Sequence, residues 1–405
     1  MSGECGYSDT SHSRVFELRA LEFLAARLPR RAARAGEWGV GTEDLALFHE
    51  TSGEEERQEC AAALAWQRER WAAGFGWLTG PLAHGGAGLP AGYDRLYRQL
   101  EDRFEVPDMN PLRIGLGTVG PAIAAYGTPE QVDRFAVGLY RGERVACQLF
   151  SEPDAGSDLA GVRTRAVREG ADWVITGQKV WTSNATFADL GLALVRTDPD
   201  APKHRGLTMF VVPMDAPGVR VVPLRQLTGG TSFTEVFLTD VRVSDEHRIG
   251  APGEGWRVAT GALAGERRAV GDRWHERNAR ALELLRGLAE RTGRWEDPLA
   301  RQEWARLYSR LRIARFQQER MQQVALGGAE RAVDKLLLST NLRLVGELAA
   351  ELAGPAFTAD TGEWGHYGWN RWLMGALGYR IAGGTEEILK TMLAERVLGL
   401  PKEPR

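Results

Sequence analysis

The sequence predicts an α+β chain in three successive parts: an N-terminal helical domain, a middle antiparallel β domain and a C-terminal four-helix bundle. Three observations carry this. The first third is helical in texture and the last third more so, with proline-free runs such as 258–288 and 330–352. Between them, β-branched and aromatic segments alternate with Gly, Asp and Pro turn signals. At 405 residues, 43% of them hydrophobic, the chain is also longer than one core serves, so two or three packed units are expected. The boundaries read as 1–143, 144–250 and 251–405.

Taken in order, Phe16, Leu18, Leu21, Phe23, Leu24 and Leu28 recur at near-helical spacing. A second helix is expected over 54–75, and the Pro- and Gly-rich stretch 81–90 interrupts as a loop. Thr128-Pro129-Glu130 announces another helix, with Thr as cap and Pro at the first position. Strands are expected at 173–176, 190–195, 207–212, 219–223 and 236–243, separated by turns at 169–170, 198–200 and 217–218. Helices then follow at 258–288, from 298 to about Ala325, at 330–352 and at 385–398; no strict heptad runs through them, which favours an antiparallel bundle.

Composition excludes several function classes. Arginines number 46 against 5 lysines, yet acidic residues outnumber basic ones and the formal net charge is −3, so no nucleic-acid partner is expected. Cys5, Cys60 and Cys147 are far apart, the seven histidines show neither metal spacing nor pairing with an acid, and no metal is expected. Residues 1–13 are polar and unlike a signal peptide, and no apolar run approaches the roughly 18 residues that span a membrane. A cytoplasmic protein without a membrane partner is the expectation.

Chemistry concentrates in two stretches. In 147–161, Glu152-Pro-Asp-Ala-Gly-Ser-Asp158 joins a rigid turn to small and hydroxyl residues; Gly156 lets backbone approach a ligand, while Ser151 and Ser157 offer donors to carbonyl or phosphate oxygens. Glu152 and Asp158 are expected to fix the turn by accepting backbone N–H bonds rather than to act as acids. In 177–184, Trp181 could cover an aromatic ring while Ser183, on the same strand face, bonds its edge.

Together with Arg291, Gln302 eleven residues on, and the closing Gly384-Thr-Glu-Glu-Ile, these motifs resemble the acyl-CoA dehydrogenase family over nearly the whole chain. The resemblance implies FAD between the β domain and the C-terminal helices, in a flavoprotein of fatty acid metabolism. It implies that Gln148, Phe150, Ser151, Gly156, Ser157, Trp181, Ser183 and Thr385 meet the cofactor, Ser183 at flavin N5, and that Arg291 and Gln302 reach the FAD of a neighbouring subunit. A homotetramer or homodimer follows, with an electron-transfer flavoprotein or similar acceptor as partner. Two departures occur: Arg294-Trp295 stands where relatives show Phe-Gly, and Gly354-Pro355 replaces Gly-Gly.

The implied reaction is α,β-dehydrogenation of a thioester, in which a base removes the α-proton and the β-hydride passes to flavin N5. Many relatives carry a Glu immediately before the Gly-Thr; here that position is Gly383. A subset that includes isovaleryl-CoA and long-chain acyl-CoA dehydrogenases places its Glu on the helix after the β domain, and Glu266 matches it. Gly383 leaves room for that carboxylate and keeps a backbone N–H for the thioester carbonyl. Ser157 and Arg267 are further substrate candidates; Arg267 reads equally well as phosphate contact or as partner of a nearby acid. An acyl group on a carrier protein, a flavin monooxygenase reaction and a non-catalytic subunit of a hetero-oligomer are the other readings.

Overall fold

The computed structural model describes residues 10–31, 45–48, 53–323, 329–360, 362, 365 and 367–402; the side chains of 10, 11, 264–277, 279, 322 and 323 are outside that description. Helices α1 (Thr10–Ala25), α2 (Gly53–Ala72) and α3 (Ala91–Glu101) come first. Phe16, Ala20, Phe23 and Leu24 form the buried stripe of α1 and meet Trp66 of α2 and Tyr97 and Leu100 of α3. Short helices α4 (Gly120–Tyr126), α5 (Pro129–Gln131) and α6 (Val137–Tyr140) follow, with π turns at Gly115–Val119 and Val132–Ala136. Thr128 caps α5 as expected. Its hydroxyl accepts the Gln131 N–H at 3.3 Å while the Gln131 side chain accepts the Thr128 N–H at 2.9 Å.

Eight strands make one sheet: β1 (Ala146–Leu149), β2 (Arg165–Glu169), β3 (Asp172–Ser183), β4 (Leu190–Arg196), β5 (Leu207–Pro213), β6 (Val219–Leu224), β7 (Phe233–Ser244) and β8 (Arg248–Ile249). The order is β6-β7-β3-β2-β4-β5-β8, with β1 on β4. The sheet is mixed rather than antiparallel, because β1 runs parallel to β4 from Ala146 opposite Leu190 to Leu149 opposite Ala193. Alternation along a strand fixes which side chains share a face and carries no information on its neighbour's direction. β4 shows the use of both faces. Leu190, Leu192 and Leu194 pack toward the N-terminal helices, while Ala193 and Val195 pack against β3 and β7 residues such as Ile175, Val236 and Val241.

Helices α7 (Gly255–Arg291), α8 (Pro298–Gln323), α9 (Ala332–Ala353), α10 (Gly368–Tyr379) and α11 (Glu386–Arg396) complete the chain. Leu285 and Leu288 of α7, Leu307 of α8, Val345 and Leu352 of α9, and Trp369 and Trp372 of α10 share one core. Helix α10 is an addition to the four expected. Its three glycines argue against a helix by propensity, but Gly375 and Gly378 let Leu47 and Phe48 in: a Cβ at either would stand 2.9 Å from those side chains. Among the described residues, no helix is long and apolar enough to cross a membrane.

One polar link ties the helical region to the sheet, and a second network holds the end of β7 to β3 and β8. Gln131 donates to the carbonyls of Glu246 and Arg248, both at 2.8 Å. Asp245 accepts from Trp173 Nε1 at 2.7 Å and from both Nε and a terminal nitrogen of Arg248 at 2.8 and 2.7 Å. The Arg248 hydrogen bonds chiefly pull the Asp245 pKa down to about 2. An unfolded Asp titrates at about 3.9, so the unfolded chain binds more protons in between. The stability from this carboxylate is present above the unfolded value and lost as pH falls through about 2. Asp245→Asn should therefore flatten that part of the acid limb in a series of thermal midpoints against pH. One histidine is also paired, contrary to expectation: His84 Nδ1 lies 2.7 Å from Asp133 Oδ1, a contact across 49 residues that spacing does not reveal.

Candidate active site

The two chemistry-bearing stretches are joined by one buried cation. Lys179, in the middle of β3, is 0% exposed and donates to the carbonyls of Phe150 (3.0 Å) and Leu194 (2.6 Å) and to Glu152 Oε1 (2.8 Å). All three ammonium donors are used. Glu152 accepts in addition the N–H groups of Arg163 (2.6 Å) and Thr164 (2.9 Å), the turn-fixing role expected of it. Burial lowers the Lys179 pKa to about 8 against the pull of Glu152. For Glu152, burial opposes the charge, but Lys179 and the backbone donors outweigh it and hold the pKa low. Asp158 differs from expectation: its carboxylate pairs with Lys203 on the β4–β5 loop.

Beyond Lys179, β3 changes character. Val180 leaves β7 and donates its N–H to the Ser151 carbonyl at 2.9 Å, and the register with β7 shifts between Lys179 and Thr182. Trp181 sits in this bulge at φ +59°, a conformation that costs a bulky residue energy. Its indole is 62% exposed, large for a tryptophan and unhelpful to packing. Ser183, two residues on, is half-buried and pairs with Phe233 of β7. Asn184, at φ +62°, ends the strand and donates to the carbonyls of Asn110 and Pro111 at 3.3 and 3.2 Å.

A row of aromatic rings runs from here to the C-terminal helices. Trp181 meets Phe233 at 5.9 Å, Phe233 meets Phe48 at 5.4 Å, and Phe48 stacks on Tyr379 at 5.0 Å. Tyr379 ends α10, and four residues later comes the turn with Gly383 (φ +68°) and Gly384 (φ +100°). Thr385 caps α11, its hydroxyl accepting the Ile388 N–H at 3.2 Å. Phe48, Phe233 and Tyr379 were not signalled by any motif, since each is a single aromatic residue in an otherwise ordinary segment.

The remaining expected residues divide. Gln148 is half-buried in β1, opposite Leu192; Ser151 is half-buried, and Gly156 and Ser157 are exposed on the turn after β1. The Phe150 ring lies in the core at 3% exposure and its carbonyl is taken by Lys179, so ring and carbonyl are both already engaged within the protein. Arg291 and Gln302 are exposed, at the end of α7 and the start of α8. Arg294 and Trp295, the departures between them, hold that corner: Arg294 pairs with Asp297 and Glu351, and Trp295 packs edge-on to Trp304 at 5.7 Å. Glu266 and Arg267 belong to α7, but their side chains are outside the described residues.

The described groups fit a flavin. Trp181 offers a largely exposed indole, Ser151 and Ser183 offer hydroxyls nearby in the chain, and an added Cβ at Gly156 or Gly383 would meet none of the described residues within 4 Å. Comparison with known proteins agrees. Residues 147–241 match the family model for the acyl-CoA dehydrogenase middle domain, and 253–398 that for its C-terminal domain. Acyl-CoA dehydrogenase IpdE1 of Mycobacterium tuberculosis is 39% identical over 344 residues, covering 84% of this chain and 89% of that protein. The solved Tcur3481-Tcur3483 steroid ACAD superposes with TM-score 0.74 at 26% identity over 98% of this chain and 99% of that one. The FAD complex of PigA, 21% identical, has the same fold at TM-score 0.72 over 99% of this chain and 100% of that one. These matches show that the chain belongs to the acyl-CoA dehydrogenase family and is an FAD-dependent enzyme of that kind.

Proposed function

We propose that this enzyme desaturates the α,β bond of an acyl-CoA whose acyl group is bulky, with Glu266 as the base. The observation that carries the reading is Gly383, which has no side chain, φ +68° and, among the described residues, no atom within 4 Å of where a Cβ would be. We infer that a carboxylate from α7 uses that space. Helix α7 is the source: Val258, Ala259 and Ala262 are buried at the junction with β5, and position 266 lies one helical turn past Ala262.

The α-proton of a thioester is weakly acidic, so the base needs a water-poor setting and the enolate oxygen needs fixed donors. The Gly383 N–H serves as one such donor, and Ser157 is on the substrate side. Bound FAD supplies the acceptor for the β-hydride. Trp181 covers its ring, and the Ser183 hydroxyl holds the ring's edge with help from Gln148, Ser151, Gly156 and Thr385. Arg267 serves the phosphates, as its planar fork suits them. Arg291 and Gln302, both exposed, reach the cofactor of a neighbouring subunit in an oligomer. Electrons leave to a flavoprotein acceptor.

The steroid named for the Tcur3481-Tcur3483 structure supports a fused-ring acyl group. Its two-protein name also favours a second reading of the assembly, with a non-identical partner chain in place of a second copy. The test is anaerobic: the purified yellow protein is mixed with octanoyl-CoA, isovaleryl-CoA and a CoA thioester of a steroid side chain. Flavin absorbance should bleach, fastest with the steroid thioester. Bleaching by NAD(P)H alone would point to oxygenation, and a colourless protein to a subunit without a catalytic role.

A further inference from the structure

The turn that carries Gly383 is gripped at both ends by α9. Glu386, the first residue of α11, is 7% exposed although it is a carboxylate. Its Oε1 accepts from Ser339 of α9 at 2.9 Å, and its Oε2 faces Arg380 at 3.4 Å and Lys390 at 3.9 Å. The Glu386 N–H closes the loop by donating to the Arg380 carbonyl at 3.1 Å. That same carbonyl accepts from Lys335 at 3.4 Å. Lys335 and Ser339 are four residues apart on α9, hence on one face of it.

We propose that Glu386, held by Ser339 and Arg380, is a positioning residue that fixes the Gly383–Gly384 turn and so aims the Gly383 N–H at the thioester carbonyl. This rests on the role given to Gly383 above. The turn needs such support because two successive glycines with positive φ leave its backbone otherwise unrestrained. A buried carboxylate is an expensive way to anchor a helix that Thr385 already caps, which is an argument that its effect falls on the turn. The charge is retained: burial opposes it, but the Ser339 hydrogen bond and the Arg380 and Lys390 charges outweigh burial and keep the pKa low. Burial correspondingly lowers Lys335 to about 8, against the attraction of Glu386 and Glu387.

The experiment compares Glu386→Gln and Ser339→Ala with the wild-type holoenzyme by amide hydrogen exchange and by anaerobic bleaching with the fastest acyl-CoA of the panel above. Exchange in peptides spanning 381–388 should rise about tenfold in Glu386→Gln and less in Ser339→Ala, with the β domain unchanged. FAD content should stay at the wild-type level. The limiting bleaching rate should fall about ten- to a hundredfold while the apparent acyl-CoA affinity moves by less than about threefold. Unchanged exchange in both variants would overturn the proposal, as would a looser turn with a wild-type bleaching rate. Loss of FAD and protection across the whole bundle would make Glu386 structural only. If wild-type protein is not bleached by any thioester while the turn still loosens, the function proposed above fails and the anchoring of the turn stands.

Discussion

Glu266→Gln should purify yellow and stay yellow when acyl-CoA is added without oxygen. The substitution keeps size and hydrogen-bonding capacity and removes only the ability to take a proton, so FAD content and thermal midpoint should match wild type. Positioned general bases contribute about a hundred- to ten-thousandfold, and position 383, where many relatives carry a Glu, has no side chain that could take over the role. Stopped-flow absorbance gives the rate directly. Normal bleaching would remove Glu266 from the mechanism. Placing a carboxylate at 383 in the same protein is not expected to rescue the rate, since φ +68° disfavours any residue with a Cβ at that position.

The second large effect concerns stability. Lys179→Met should destabilise by about 3–5 kcal/mol, because it leaves the Glu152 charge buried without its partner and frees the carbonyls of Phe150 and Leu194. Chemical denaturation of the β domain's fluorescence would measure it. FAD retention should fall as well, since Ser151 and Trp181 both hang from the bond between Val180 and Ser151, one residue from the lysine. The companion variant Glu152→Gln should cost less, for the amide still accepts a bond and leaves no negative charge. In the double variant Lys179→Met, Glu152→Gln the losses should not add, as expected of one network. A simple sum would mean that the two side chains act independently.

What could be read in advance was what is contiguous. The segments 147–161 and 177–184 each hold their own turn or strand, and the helices of the bundle declare themselves by length. What could not be read depends on partners distant in sequence. Lys179 looks like a surface residue in a strand, and only the approach of the Phe150 and Leu194 carbonyls makes it a buried clamp. Helix α10 was hidden by its glycines, two of which, Gly375 and Gly378, are explained by side chains arriving from residues 47 and 48. The parallel pairing of β1 with β4 was hidden because strand direction leaves no trace in alternation. The role of Glu386 was equally silent: next to Glu387 it reads as one of two acids that suit a helix start, and Ser339 is 47 residues away.

Leu47 and Tyr379 bear on kinetics as well as on architecture. The Tyr379 hydroxyl donates to the Leu47 carbonyl at 3.4 Å across 332 residues, beside the stacked rings of Phe48 and Tyr379. A contact that closes so long a loop is costly in chain entropy until the intervening strands and helices have formed, so it is made late in folding. Interactions absent from the transition state act on unfolding rather than on folding. Truncating Phe48 to Ala should therefore speed unfolding of the assembled site more than it slows folding, as unfolding and refolding rates would show.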